Sequence, residues 1–232
     1  MQLKGWVRTS LIDYPDHVAT VLFTGGCNFR CPMCHNVDLV LHPGELPSLP
    51  EDAVWAFLEK RAGLVTGVVV TGGEPTLQPD LAAFLQRVRS RALDVKLDTN
   101  GYCPDALAAL LGAGLVDYIA MDVKAPPAKY AQVAGVPGLD GARIEQSLTL
   151  IRESGLPYEL RTTVTPGLLD ADDVEAIARR IAGADHYVLQ QFRGLSTLDP
   201  ALEGAAPYPV AALTAMAERA RPWVGRVTLR GV

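Results

Sequence analysis

The chain has 232 residues, of which 49% are hydrophobic, and a formal net charge of −5. That length and composition allow one large core, so we expect a single domain over residues 1–232. No run of Lys and Arg resembles a nucleic-acid-binding surface, and no apolar run is long enough to span a membrane. The first ten residues lack the apolar stretch of a signal peptide. We therefore expect a cytoplasmic protein with neither nucleic-acid nor membrane partners.

Short apolar runs alternate with helical patterns along most of the chain. Continuous apolar runs bounded by turn residues are typical of parallel strands that are buried on both faces. Such runs predict strands at residues 19–24, 67–71, 94–98, 118–123, 159–164, 186–190 and 226–229.

Between these runs, apolar residues at helical spacing predict helices that contain Val54, Leu85, Leu110, Leu148 and Ile177, with a weaker pattern at 210–220. Ser48, Pro50 and Glu51 have the spacing of a capping box at the start of the first of these helices. The Pro- and Gly-rich segment 126–141 is interpreted as a long loop.

Six repeated βα units predict an α/β fold in which parallel strands are joined by right-handed crossovers. The pattern fits a partial (β/α)6 TIM-like barrel or a doubly wound sheet. In both folds, ligands bind at the carboxyl ends of the strands.

Three of the four cysteines lie within eight residues, as Cys27, Cys31 and Cys34. A tight odd triplet of this kind indicates a metal site rather than a disulfide framework, and thiolates select zinc or iron–sulfur clusters. A structural zinc site needs four ligands. His35 adjoins Cys34 and is badly placed to share its metal, and Cys103 is far away in sequence. The triplet therefore favours a [4Fe–4S] cluster with one iron left without a protein ligand, and the alternative is a non-catalytic zinc-binding module.

Three more polar motifs follow predicted strands: Gly72-Gly73-Glu74-Pro75, Asp98-Thr99-Asn100-Gly101, and Asp122 with Lys124. The two glycines allow close approach of a ligand to the backbone, and Glu74 offers an acceptor for an ammonium group. Carboxylates at strand ends are equally typical of caps and turns. We expect all three motifs to meet the cysteines at one edge of the sheet.

The CxxxCxxC loop after the first predicted strand resembles the radical S-adenosylmethionine (SAM) superfamily. The resemblance implies that Cys27, Cys31 and Cys34 hold a [4Fe–4S] cluster and that the open iron binds SAM. One electron from the cluster then cleaves SAM to methionine and a 5′-deoxyadenosyl radical. The resemblance also implies that Gly72, Gly73 and Glu74 bind the amino group of SAM. Members usually have an aromatic residue near the adenine where this chain has Met33, whose sulfur can also pack on a ring.

Within the superfamily, three motifs resemble the enzymes that activate glycyl radical enzymes. They are Cys34-His35-Asn36, the DTNG motif, and the Asp-x-Lys motif of Asp122 and Lys124. The resemblance implies that Asp98, Asn100, Asp122 and Lys124 contact SAM. It implies further that Asp13 and Arg161 face a glycine loop of the partner. The chain most resembles the activators of anaerobic ribonucleoside-triphosphate reductase and, as a related group, those of pyruvate formate-lyase.

The sequence therefore predicts an oxidoreductase that abstracts hydrogen from a glycine of a partner glycyl radical enzyme. A flavodoxin or ferredoxin is expected as the electron donor. The alternative within the superfamily is an enzyme for a small molecule such as a deazapurine precursor. The partner, the oligomeric state, the role of Cys103 and a monovalent cation near Asp98 stay open at this point.

Overall fold

A computed structural model describes residues 1–232, and its eight strands form one sheet. The strands are β1 (Leu3–Ser10), β2 (Ala19–Thr24), β3 (Gly67–Gly72), β4 (Asp94–Thr99), β5 (Tyr118–Asp122), β6 (Tyr158–Val164), β7 (His186–Gln191) and β8 (Arg226–Arg230). Strands β2 to β8 are parallel and lie in the order of the chain, and β1 is antiparallel to β2. The α/β class is therefore confirmed.

Eight α-helices connect or follow these strands. They are α1 (Val37–Leu41), α2 (Glu51–Lys60), α3 (Leu81–Arg89), α4 (Pro104–Gly112), α5 (Pro127–Ala134), α6 (Gly141–Glu153), α7 (Ala171–Arg180) and α8 (Val210–Ala220). Short 3₁₀ turns lie at Pro75–Leu77 and Pro200–Leu202. None of the helices is long and apolar enough to cross a bilayer.

The strand order separates the two predicted architectures. A doubly wound sheet reverses its strand order at a switch point, whereas here the order follows the chain from β1 to β8 without a reversal. The six units from β2 to β7 form a partial barrel, and β8 continues the sheet. Because β1 and β8 do not pair, the barrel stays open along one side. The predicted partial (β/α)6 barrel is confirmed.

All seven predicted strands are present, with ends that agree to within one residue. Strand β1 was not predicted, because its burial does not alternate cleanly and three consecutive residues, Val7 to Thr9, are exposed. An exposed edge strand gives neither a continuous apolar run nor a strict alternation, so the sequence pattern is weak there.

Two helix predictions were wrong. Helix α2 begins after Pro50 without a side-chain cap, because the Ser48 hydroxyl accepts a hydrogen bond from Lys4 Nζ at 2.9 Å instead. The segment 126–141 is not one long loop, because it contains the two-turn helix α5. Proline at its first turn and Gly135 after its end are ordinary helix boundaries, and the helix buries Tyr130 and Val133.

The sheet buries a different kind of residue on each face. Outward side chains of the strands pack with the helices into one cluster of 48 buried hydrophobic residues. Inside the barrel, a second cluster near the amino ends contains Tyr14, Ala19, Val21, Val69 and Tyr118. Most of the remaining inward positions on β4 to β6 carry charged residues, which makes the barrel interior polar on that side.

Helix α5 supports the cysteine loop through its last turn. Ala134 O accepts hydrogen bonds from the backbone N–H of Arg30 at 2.8 Å and from the thiol of Cys31 at 3.8 Å. Gly135 follows with a φ of 64°, and a Cβ atom there would lie 2.2 Å from Arg30 O. The close approach of α5 to the loop therefore requires glycine at this position.

We expect Gly135→Ala to lower the free energy of unfolding by more than Gly138→Ala. Both positions have positive φ, so both variants carry a backbone cost of about 1–2 kcal/mol. Only Gly135 adds a clash with the cysteine loop, because nothing lies within 4 Å of a Cβ atom at Gly138. Urea unfolding of the two variants measures the difference, and equal losses would contradict the proposed contact.

Candidate active site

A cavity of about 290 Å³ opens at the carboxyl ends of the parallel strands. It is lined by the cysteine loop, by the ends of β3 to β7, and by the segments that follow β3 to β5. The lining residues include Cys27, Phe29, Cys31, Met33, Cys34, Asn36, Thr71, Gly72, Gly73, Asp98, Asn100, Asp122, Lys124, Arg161, Thr163 and Gln190.

The two glycines after β3 allow the cysteine loop to pack directly against the backbone. A Cβ atom on Gly73 would lie 1.9 Å from Gly26 O. Gly72 has a φ of 113°, and a Cβ atom there would lie 2.4 Å from Thr24 N. The backbone N–H of Glu74 donates to Gly26 O at 2.8 Å. The motif therefore fixes the start of the cysteine loop in addition to lining the cavity.

The cysteine thiols are largely removed from water. Burial raises the pKa of Cys27 to about 12 and that of Cys31 to about 11, so both are neutral thiols in the metal-free protein. Binding of a metal group must therefore displace their protons.

The cysteine set fits a cluster better than a single ion. No three Cys, His, Asp or Glu side chains converge on one ion position in the structure. His35 Nε2 contacts Arg193 O at 2.7 Å, and Cys103 contacts Asn28 at 3.9 Å rather than lining the cavity. A four-iron cluster is much larger than one ion, so its three thiolate ligands stand further apart than the ligands of zinc.

Arg161 connects two carboxylates on the cavity wall. Its Nη1 atom lies 3.0 Å from Asp98 Oδ2, and its Nε atom lies 2.8 Å from Asp122 Oδ1. Lys124 Nζ donates to Asp122 Oδ2 at 2.9 Å. Burial alone would raise the pKa values of the two carboxyls. The positive charge of Arg161 outweighs burial at both, together with Lys96 at Asp98 and Lys124 at Asp122, so both pKa values are lowered. Both carboxylates are therefore ionised at neutral pH.

A second set of charges lies below this wall. Lys96 is 3% exposed and Glu159 is 1% exposed. Lys96 Nζ lies 3.2 Å from Asp98 Oδ1 and 3.9 Å from Glu159 Oε1, and Arg230 donates to both Glu159 oxygens at 3.0 and 2.8 Å. Burial would raise the pKa of Glu159, but hydrogen bonds from Arg230 and the nearby charges of Arg161 and Lys96 lower it. The network thus compensates the charges buried inside the barrel.

The structure brings most of the predicted site residues together. The cavity is lined by Cys27, Cys31, Cys34, Met33, Gly72, Gly73, Asp98, Asn100, Asp122, Lys124 and Arg161. Two predicted residues, Glu74 and Asp13, do not line it.

Glu74 does not offer a free acceptor to a ligand. It is fully buried, and its carboxylate accepts hydrogen bonds from Thr76 N at 3.1 Å, Thr76 Oγ1 at 2.6 Å, Thr99 Oγ1 at 2.8 Å and Asn100 N at 2.7 Å. Burial raises the pKa of Glu74. Glu74 holds the segment after β4 against the segment after β3 in this structure, and its contact with the amino group of SAM stays a prediction.

Asp13 lies at the opposite end of the barrel. It follows β1, whose last residue Ser10 pairs with Ala19 at the start of β2. Its carboxylate accepts from Ser10 Oγ at 2.5 Å, and its carbonyl accepts from Lys96 Nζ at 2.6 Å. The structure therefore places Asp13 away from the cysteine loop, and its contact with a glycine loop of the partner stays a prediction. The sequence could not reveal this because β1, which sets the direction of the segment, was not predicted.

The sequence did not predict that Thr163 and Gln190 line the cavity, nor that Lys96, Glu159 and Arg230 form the charge network beside it. Two of them carry a signal in the sequence. Lys96 and Glu159 are charged residues inside runs that predict buried strands, and buried charges occur mainly where they are paired.

Comparison with known proteins identifies the family. Residues 21–181 match the Radical SAM superfamily. The chain therefore belongs to the radical SAM superfamily and is a radical SAM enzyme. As a member, it uses a [4Fe–4S] cluster and SAM as cofactors.

Among its relatives, a Methanocaldococcus jannaschii protein provisionally named a glycyl-radical enzyme activating enzyme is 30% identical over 235 residues, which are 99% of this chain and 96% of that protein. A protein of Thermococcus kodakarensis, named a probable GTP 3′,8-cyclase, is 29% identical over 161 residues, 66% of this chain and 49% of that protein.

Among solved structures, Streptococcus suis SuiB bound to S-adenosylmethionine has a TM-score of 0.68 and 14% identity, covering 89% of this chain and 48% of that chain. This likeness shows the shared fold. The chain spans about half the length of the cyclase and of SuiB.

We expect Cys31→Ser to reduce the iron and sulfide content of the anaerobically reconstituted protein strongly, because it removes one of three thiolates. Cys103→Ser is the matched control, since Cys103 lies outside the cavity lining, and its iron content should equal that of the wild type. Iron and sulfide analysis with the visible absorption spectrum measures both. Equal losses in the two variants would contradict the ligand assignment.

We expect Lys96→Met to lower the free energy of unfolding by about 3–5 kcal/mol at neutral pH, because it leaves buried carboxylates short of a cation. The folded-state pKa values of Asp98 and Glu159 are lowered, so their stabilising effect is present at neutral pH and is lost as the pH falls through those values. The loss caused by Lys96→Met should therefore shrink towards acid pH. Urea unfolding at several pH values tests this.

Lys4→Met is the control for that series, because Lys4 Nζ contacts only Leu46 O and Ser48 Oγ at the surface. A loss for Lys96→Met that does not change with pH would contradict the electrostatic explanation.

Proposed function

We propose that the chain activates a glycyl radical enzyme by abstracting a hydrogen atom from the Cα of a glycine in that partner. The observation that carries the proposal is the convergence of three motifs on one cavity. The cysteine loop with Asn36, the residues Asp98 and Asn100, and the pair Asp122 and Lys124 all line it. The full-length similarity to the M. jannaschii relative supports the same function.

When bound, the cluster and SAM supply a one-electron reductive cleavage that makes hydrogen abstraction from carbon feasible. Cys27, Cys31 and Cys34 would hold three irons and leave the fourth for SAM. A flavodoxin or ferredoxin is the proposed electron donor. No acid–base pair is required of the protein, whose task is to hold the reacting groups in place and exclude water.

The cavity wall suits a zwitterionic ligand. Two cations, Lys124 and Arg161, face two carboxylates, Asp98 and Asp122, within 2.8–3.0 Å. The amino-acid end of SAM carries one positive and one negative charge, so it can bind to this wall without leaving a net buried charge. Met33, which is 5% exposed, is available to pack against the adenine.

The open side of the barrel supports a polypeptide substrate. Strands β1 and β8 do not pair, so the sheet is not closed there, and this side is the proposed entry for an extended segment. Beyond Arg161, towards the carboxyl ends of β6 and β7, Thr163 and Gln190 line the cavity with neutral polar groups. Gln190 Nε2 lies 3.4 Å from Thr163 Oγ1, a long contact that leaves both side chains able to bind a peptide backbone.

The similarity to a GTP 3′,8-cyclase favours a second candidate, a radical SAM enzyme that acts on a purine-type small molecule. A purine would be expected to stack on aromatic side chains, and Phe29 is the only Phe, Tyr or Trp that lines the cavity. This scarcity of stacking surface favours the polypeptide substrate.

The reconstituted enzyme with dithionite and SAM, assayed anaerobically for 5′-deoxyadenosine with and without candidate glycyl radical enzymes, tests the proposal. We expect cleavage to rise with one partner and an EPR doublet of a glycyl radical to appear on that partner. If the rate of SAM cleavage is unchanged by every protein partner but rises with a purine nucleotide, the result would contradict the proposal and support the second candidate.

A further inference from the structure

The side-chain amide of Asn100 is held in one orientation by its neighbours. Its Oδ1 atom accepts a hydrogen bond from the backbone N–H of Tyr102 at 2.9 Å, and its Nδ2 atom donates to Asn28 Oδ1 at 2.7 Å. Asn100 is 6% exposed, so water scarcely competes for these contacts. The buried carboxylate of Glu74 also holds the backbone N–H of Asn100 at 2.7 Å.

The second hydrogen of this amide is directed at a cysteine that would bind iron. Asn100 Nδ2 lies 3.8 Å from Cys27 Sγ, and one amide nitrogen can donate to Asn28 and Cys27 at once because it carries two hydrogens. The backbone N–H of Phe29 also donates to Cys27 Sγ, at 3.4 Å.

Cys27 is the one cysteine of the three whose sulfur accepts a hydrogen bond from a side chain. Among the side chains of the structure, none donates a hydrogen bond to the sulfur of Cys31 or Cys34. As a free thiol, Cys27 itself donates to Asn28 Oδ1 at 3.9 Å. Iron binding removes the thiol proton, so the sulfur then only accepts hydrogen bonds, and bonds to a charged acceptor are the stronger kind.

We propose that Asn100 raises the reduction potential of the cluster through its hydrogen bond to Cys27 Sγ. Reduction by one electron adds negative charge that the cluster sulfurs share, so an N–H donor stabilises the reduced form more than the oxidised form. Asn100 is thus a tuning residue. The inference rests on the cluster and not on the proposed glycine substrate, so either can fail without the other.

The test compares Asn100→Leu with Asn36→Leu. Leucine has the same branched arrangement of four side-chain heavy atoms as asparagine but donates no hydrogen bond. Asn36 lines the same cavity, yet its Nδ2 atom donates to Gly72 O at 2.9 Å and not to sulfur. Both variants and the wild type are reconstituted anaerobically without SAM, matched for iron and sulfide, and titrated with dithionite while EPR follows the reduced cluster.

We expect a midpoint potential for Asn100→Leu that is more negative than that of the wild type, with Asn36→Leu unchanged. An unchanged potential for a fully loaded Asn100→Leu protein would overturn the proposal. An equal shift in both variants would overturn it as well, because that result indicates a general disturbance of the cavity.

A second measurement does not depend on loading of the Asn100→Leu variant. Protein labelled with asparagine that carries ¹⁵N only in the side-chain amide is reduced and examined by pulsed EPR. We expect a ¹⁵N coupling to the cluster in the wild type and the same coupling in Asn36→Leu. Absence of the coupling from the wild type, or its loss in Asn36→Leu, would contradict the assignment to Asn100.

Discussion

Three cysteine thiols on one short loop have to be held in place without a fourth protein ligand, and much of the molecule serves that constraint. The loop contains no regular secondary structure between β2 and α1. The contacts that hold the loop in place come from other parts of the chain. The glycines after β3 allow backbone contact at Gly26, and helix α5 binds the loop at Arg30 and Cys31. The surrounding fold therefore holds the cysteine loop in place, so that three thiolates can bind a cluster and leave one iron without a protein ligand.

The same constraint explains the polar interior of the barrel. A site for a charged ligand needs charged side chains, and each buried charge is costly unless it is paired. Arg161 lies between Asp98 and Asp122, and Lys96 and Glu159 extend the pairing towards the amino ends of the strands. The charged part of the interior is thus a compensated network in which the removal of one ion disturbs its neighbours, and most of the apolar core lies on the outer face of the sheet.

The sequence allowed a correct prediction of the partial barrel and of the cofactors for physical reasons that also explain the failures. Strands buried on both faces leave continuous apolar runs, so they could be located, whereas the exposed edge strand β1 left no such run. The spacing of candidate ligands within one loop, such as Cys27 to Cys34, is visible in the sequence itself because these residues are neighbours along the chain.

What a side chain contacts is not local. Glu74 was expected to bind a ligand, but four protein donors occupy it, and only the folded arrangement of Thr76, Thr99 and Asn100 reveals this. The location of Asp13 could not be predicted for the related reason that it depends on the direction of β1. The charged network was missed because Lys96 and Glu159 acquire partners only when separate strands come together.

The central claim is that three cysteines of this chain hold a four-iron cluster with one iron free to bind SAM. Mössbauer spectroscopy of the ⁵⁷Fe-reconstituted protein, recorded before and after addition of SAM, tests it most directly. The account predicts a [4Fe–4S] spectrum in which SAM changes the isomer shift of one iron in four and leaves the other three unchanged. A spectrum that is indifferent to SAM, or a protein that binds only a single zinc ion, would contradict it.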